Sequence, residues 1–130
     1  MSAFAIVIKK PEVWTSYFDN TRWTGGAGTT WDGSKWVSSG ASNYWVYLIK
    51  TGSWYLGYRP TKVRFTMTNV ATDVDLQVNS DHYDLVDDPN TVSLKELTLD
   101  FSGGEDIDSI IARNNSVGVW QCTNIEFLEP

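Results

Sequence analysis

Trp23, Trp31 and Trp36 stand among glycine, serine, threonine and aspartate, outside any clear apolar run. A flat aromatic ring at a protein surface can lie against the C–H face of a pyranose, whose slightly positive hydrogens meet the negative face of the ring. Amides, carboxylates and guanidinium groups beside the ring then hydrogen-bond the sugar hydroxyls, arginine through a rigid fork of donors. The three tryptophans are therefore candidate stacking platforms, with packing over a sandwich edge or a sheet end as the competing role. The total of Trp 7, Tyr 6 and Phe 5 adds weight to the first role. A thin sandwich core accommodates few indoles, because each is large and each buried N–H needs a partner.

Other aromatics lie in regular runs. In NYWVYLIK, Trp45 and Tyr47 share one face of a strand while Tyr44, Val46 and Leu48 share the other. One set belongs to the core and the other lines an aromatic face, and alternation leaves the choice open. Trp54 and Tyr58 share one side of WYLGYRP with Leu56 and are further candidates, whereas Trp14, among Val13, Tyr17 and Phe18, and Trp120, between Val119 and Gln121, read as packing residues. Arg64 with Thr66, and Asp75 with Gln77, point outward from their strands. They supply hydrogen bonds if their sheet carries a cleft, and a solvated surface otherwise.

Other chemistries find less support. Asp81, Asp84, Asp87 and Asp88 make DHYDLVDD rich in oxygen ligands, a candidate site for a structural Ca²⁺, but the segment lacks EF-hand spacing. Asp106 and Asp108 are a lesser option. Asp73 and Asp75 share a strand face, yet glycoside hydrolysis needs two carboxylates held across a cleft, and no pair suggests that. Nucleophile-elbow, Walker, dinucleotide and HExxH patterns are missing from the sequence, so no catalytic residue is assigned and no cofactor is required. His82, the single histidine, reads as a surface or turn residue, and Cys122 as a small buried hydrophobe.

The elements that must position these residues are strands. Alternation is clearest in Lys62 to Thr68, where Val63, Phe65 and Met67 interleave with polar residues, and recurs with Val74, Leu76 and Val78. Further strands are expected at Ala3 to Lys9, Asn43 to Lys50, Trp54 to Tyr58, Val92 to Leu94, Leu97 to Phe101, Ser109 to Arg113, Gly118 to Cys122 and Ile125 to Leu128. A bulge or short loop is expected between Leu94 and Leu97. The Trp/Gly/Ser-rich segment 11–42 has the weakest pattern, with short strands possible at Ser16 to Asn20 and Lys35 to Val37. A helical turn could form at Glu105 to Ile110. The 130 residues read as one all-β domain, an antiparallel sandwich of about nine strands with jelly-roll connections.

A formal charge of −6 without a basic cluster disfavours a nucleic-acid partner. The apolar run Ala3 to Ile8 is too short for a membrane span, and no basic segment precedes it as in a signal peptide. No membrane partner is expected, and a monomer is.

The order of AFAIVIK, YRPTKVRFTMT, LTLDF and TNIEFLE resembles the jelly-roll carbohydrate-binding modules attached to polysaccharide-degrading enzymes. In that family, aromatics on a concave face or on end loops hold sugars, and many members carry a structural calcium. The resemblance implies a sheet-face role for Trp45 or Tyr47 and a loop role for Trp23, Trp31 or Trp36. It implies non-catalytic binding of a polysaccharide or oligosaccharide, a β-glucan or other hemicellulose, by a module linked to a catalytic domain in a secreted or cell-surface protein. The alternative is a structural or receptor-binding domain of a phage or cell-surface assembly, with the aromatics at a subunit interface.

Overall fold

The computed structural model describes residues 4–6, 8–26, 28–38, 45–52, 55–70, 74–86, 92–101, 103–114 and 119–130. Eleven strands follow one another: β1 Trp14–Ser16, β2 Trp23–Gly25, β3 Thr29–Trp31, β4 Trp36–Ser38, β5 Trp45–Lys50, β6 Lys62–Val70, β7 Val74–Val78, β8 His82–Val86, β9 Val92–Asp100, β10 Ser109–Asn114 and β11 Gln121–Leu128. They form two antiparallel sheets. The first runs β3-β4-β11-β6-β9, with β1 also paired to β11, and the second runs β2-β5-β10-β7-β8. Most neighbours are distant in sequence, as jelly-roll connections require.

Alternation builds the core. Val63, Phe65 and Met67 of β6 are buried against Val74, Leu76 and Val78 of β7, Val46 and Leu48 of β5, and Ile110 and Ala112 of β10. On β11 the buried residues are Cys122, Ile125 and Phe127. A spacing of three cannot put both Cys122 and Ile125 inward on a regular strand. The register against β6 shifts between Cys122 and Asn124, so Thr123 is the extra residue that restores the phase. Burial also pushes the Cys122 thiol pKa upward.

Several expectations are corrected. Residues 4–6 and 8–10 form no strand, and Phe4, Ile6 and Ile8 are exposed. Residues 55–58 are a loop, and 105–108 make no helical turn. The register of β9 on β6 runs unbroken through Leu94, Lys95, Glu96 and Leu97, so the bulge lies on β11 instead. The segment 11–42 is not a long irregular loop, since β1 to β4 fall within it.

Candidate functional site

The tryptophans of segment 11–42 are drawn inward by carbonyls that satisfy their N–H groups. Trp23 is buried, donates Nε1–H to the Tyr17 carbonyl at 3.0 Å, and stacks at 6.4 Å on Phe127. Trp36 is buried and donates to the Phe18 carbonyl at 2.5 Å. Trp31 is half-buried, packed between Trp36 at 5.2 Å and Phe18 at 5.9 Å. The expectation that Trp23 and Trp36 are exposed platforms is thereby overturned, and Trp31 serves mainly to close this end of the core. The turn before β2 is held at Asp19. Burial raises its carboxyl pKa, but hydrogen bonds from the Thr21 side chain and amide, with the Arg22 charge, bring it below the usual value. Trp14 and Trp120 have the packing roles expected of them, the first half-buried on an edge strand and the second buried.

The choice left open for β5 is settled by burial: Val46 and Leu48 are core, and Tyr47 is half-exposed on the outer face of the second sheet. Register extends that face across neighbouring strands. Tyr47 stands opposite Ile111, which stands opposite Gln77; in the next row the Trp45 position is opposite Arg113, itself opposite Asp75. The rows are about 7 Å apart along the strands, and five strands span about 19 Å across. Glycine makes room for the Tyr47 ring. A Cβ at Gly26 would fall inside van der Waals contact of that ring, while the Gly26 amide donates to the Tyr47 carbonyl at 2.7 Å. The Tyr47 amide in turn donates to Thr29 Oγ1 at 2.9 Å.

Arg113 and Asp75 form the polar centre of this face. Asp75 Oδ2 accepts from Arg113 Nε at 2.9 Å and from Nη2. The Asp75 side chain is 5% exposed and that of Arg113 is 44% exposed, so a buried carboxylate anchors a guanidinium that reaches solvent. A guanidinium carries five N–H donors. Two are engaged here, leaving three for a ligand. Asp75 Oδ1 is buried without a hydrogen-bond partner. Asp75 is therefore no solvated surface carboxylate, but the buried anchor of Arg113.

Sequence reasoning missed Arg113. Its signal was a charge two residues after Ile111 at the end of SIIAR, in phase with the outward side of β10. The other candidates disperse. Arg64 lies on the first sheet, opposite Glu126, so it cannot join Asp75 and Gln77. Tyr58 is half-buried against the core, its hydroxyl 3.4 Å from the Phe127 carbonyl, and burial raises its pKa. Asp81 is exposed in the β7–β8 turn, and the Asp84 position pairs with Leu76. Trp54, Asp87 and Asp88 lie outside the described residues. His82 pairs with Glu105 and stacks at 4.7 Å on Phe101.

No family model and no curated protein sequence matches the chain. Solved structures do match its fold. A mutant of a carbohydrate binding module of family 29 aligns at a TM-score of 0.60 and 18% identity, covering 91% of this chain and 92% of the other. A family 29 variant complexed with mannohexaose aligns at 0.59 and 17%, covering 92% and 93%. A low-affinity xylan-binding module from Roseburia intestinalis aligns at 0.55 and 14%, covering 92% and 97%. Over nearly its whole length the chain has the two-sheet jelly-roll fold of these carbohydrate-binding modules.

Proposed function

We propose that the protein binds a polysaccharide chain, without cleaving it, on the outer face of the second sheet. The observation that carries this reading is Arg113, whose guanidinium is pinned by buried Asp75 yet keeps three donors free one row from the Tyr47 ring. Tyr47 stacks on a sugar face, Arg113 donates to hydroxyl oxygens, and Gln77 offers both a donor and an acceptor in the Tyr47 row. Trp45 occupies the register position opposite Arg113 on β5. A β-linked hemicellulose or β-glucan is the substrate class, consistent with the mannohexaose and xylan named for similarly folded modules. Such a domain concentrates a linked catalytic domain on its polymer, as part of a secreted or cell-surface protein.

Affinity electrophoresis in gels containing mannan, xylan or mixed-linkage β-glucan, followed by calorimetry on the retarding polymer, tests the reading. Retardation by at least one polymer, without release of reducing ends, is expected; migration unchanged by all of them would overturn it. A structural Ca²⁺ on segment 81–88 is a separate proposal. Melting with and without EDTA tests it, and an unchanged midpoint counts against it.

One observation favours the second reading, a domain of a larger assembly. Phe4, Ile6 and Ile8 alternate along an exposed segment, as they would on a strand awaiting a neighbour. Sedimentation equilibrium distinguishes the readings, since a stable oligomer with no glycan affinity would favour assembly.

A further inference from the structure

The chain carries a formal charge of −6, but little of it is shown by the described part of the Tyr47 and Arg113 face. Among the described outward positions that register gives the second sheet, Asp75 and Arg113 are the two charged residues. The Asp84 position opposes buried Leu76 and therefore lies on the inward side. Asp100 and Glu126 belong to the first sheet, and Asp106 and Asp108 to the loop between β9 and β10. With the Asp75 side chain 5% exposed and that of Arg113 44%, the charge this face offers to solvent, among the described residues, is a guanidinium.

A guanidinium has two kinds of edge that present a pair of parallel N–H groups, one through Nε and a terminal nitrogen and one through both terminal nitrogens. In Arg113 the first, Nε with Nη2, is turned to Asp75 Oδ2. The second, Nη1 with the remaining N–H of Nη2, has no partner among the described residues. Given glycan binding on this sheet face, on which the inference rests, we propose that the free edge receives a uronic acid carboxylate. The preferred ligand is then a β-linked polysaccharide bearing uronic acids, ahead of its neutral counterpart.

A carboxylate offers two oxygens in one plane and meets both N–H groups of that edge at once, and each such bond is roughly twice as strong as one between neutral groups. Asp75 does not compete for the edge, because its Oδ2 lies on the other one and its Oδ1 is buried. The buried carboxylate also holds the guanidinium in place, so less side-chain freedom is lost when a ligand arrives. An acidic sugar meets no exposed carboxylate at the described outward positions, and more distant charges are screened beyond about 8 Å at physiological ionic strength. Tyr47 stands one row, about 7 Å, from Arg113. A uronic acid stacked on Tyr47, or linked to the sugar stacked there, has its carboxylate within reach of the free edge. Ile111, opposite Tyr47, has no side-chain hydrogen-bonding group, so charge on this part of the face is read through Arg113.

Calorimetry of the whole chain with two matched pairs of oligosaccharides tests the proposal. One pair is β-linked hexamannuronate against mannohexaose, with the carboxylates on the main chain. The other is xylohexaose branched with glucuronic acid against the same oligosaccharide after reduction of its carboxyl, with the carboxylate on a branch. In at least one pair the acidic member is expected to bind about tenfold tighter, the difference between charge-assisted and neutral hydrogen bonds, and the pair that shows it gives the position of the carboxylate. Arg113→Lys, which keeps a cation beside Asp75 but removes the edge, should cut that preference to about threefold or less. Equal affinities within both pairs, or tighter binding of both neutral members, overturn the proposal and leave the sheet-face reading standing. A tenfold preference that survives Arg113→Lys overturns it too, since the carboxylate is then held elsewhere. Absence of binding within both pairs also overturns it, and retardation in the polymer gels then decides whether the sheet-face reading survives.

Discussion

Each sheet displays an arginine–carboxylate pair on its outer face, and the two pairs are built differently. On the first sheet Arg64 meets Glu126 as fork against fork, Nε to Oε1 at 3.3 Å and Nη2 to Oε2 at 2.8 Å. The Trp14 ring covers the guanidinium at 4.2 Å, and the two side chains are 26% and 18% exposed. Carboxylate, guanidinium and indole satisfy one another, and the group acts as surface packing. On the second sheet Arg113 spends two donors on a single oxygen of Asp75, and the other oxygen stays buried and unpaired. An unsatisfied buried acceptor costs about 1–3 kcal/mol. The second face bears that cost and keeps its guanidinium open one row from the half-exposed Tyr47 ring. A closed pair contributes to the fold, whereas an open one keeps donors that a ligand can use.

The largest expected effect concerns the framework that both faces share. Trp23→Ala should destabilise the protein by about 3–5 kcal/mol in denaturant melts, with glycan affinity per folded molecule unchanged. A large loss of affinity in the folded fraction would make Trp23 a ligand contact after all. Next, Arg113→Ala should lower polysaccharide affinity by about 1.5–3 kcal/mol, the worth of charge-assisted hydrogen bonds, while Arg64→Ala leaves it unchanged in calorimetry. Equal losses for the two would break the comparison between the faces. A smaller effect, about 1 kcal/mol of affinity, is expected for Tyr47→Ala, and Gly26→Ala should reproduce part of it by displacing the ring. The smallest effect belongs to Cys122. A thiol reagent should label it only after unfolding, and labelling of the native protein at neutral pH would contradict its burial. Because its folded pKa is raised, the Cys122 contribution to stability is whole below the unfolded thiol value and declines as pH rises above it.

Much of the fold was legible because burial in a sandwich follows a period of two. The inward sets on β6 and β7 could be read from alternation alone, and the burial of Trp120 and Cys122 from their neighbours in sequence. Segment 11–42 was misread for a physical reason. Its strands are three residues long, too short to show a period, and Trp23 and Trp36 satisfy their N–H groups on the Tyr17 and Phe18 carbonyls just after β1, which no local pattern announces. The extra residue on β11 was hidden because a bulge converts a spacing of three into two inward residues, which looks like two separate strands. Of the candidate site, Tyr47, Asp75 and Gln77 were named from sequence, but Arg113 and the separation of Arg64 were not.

The sequence by itself determined that the chain is all-β, which residues alternate on each long strand, and that aromatics beside polar groups are numerous enough to suggest sugar binding. Those are properties of neighbours along the chain, set by strand geometry and side-chain type. Only the tertiary structure decided which aromatics are spent on the core, which side of β5 faces outward, and which arginine meets Asp75. Those outcomes depend on pairings such as Arg113 with Asp75 and Trp36 with the Phe18 carbonyl, 38 and 18 residues apart in sequence, which only the folded chain brings together.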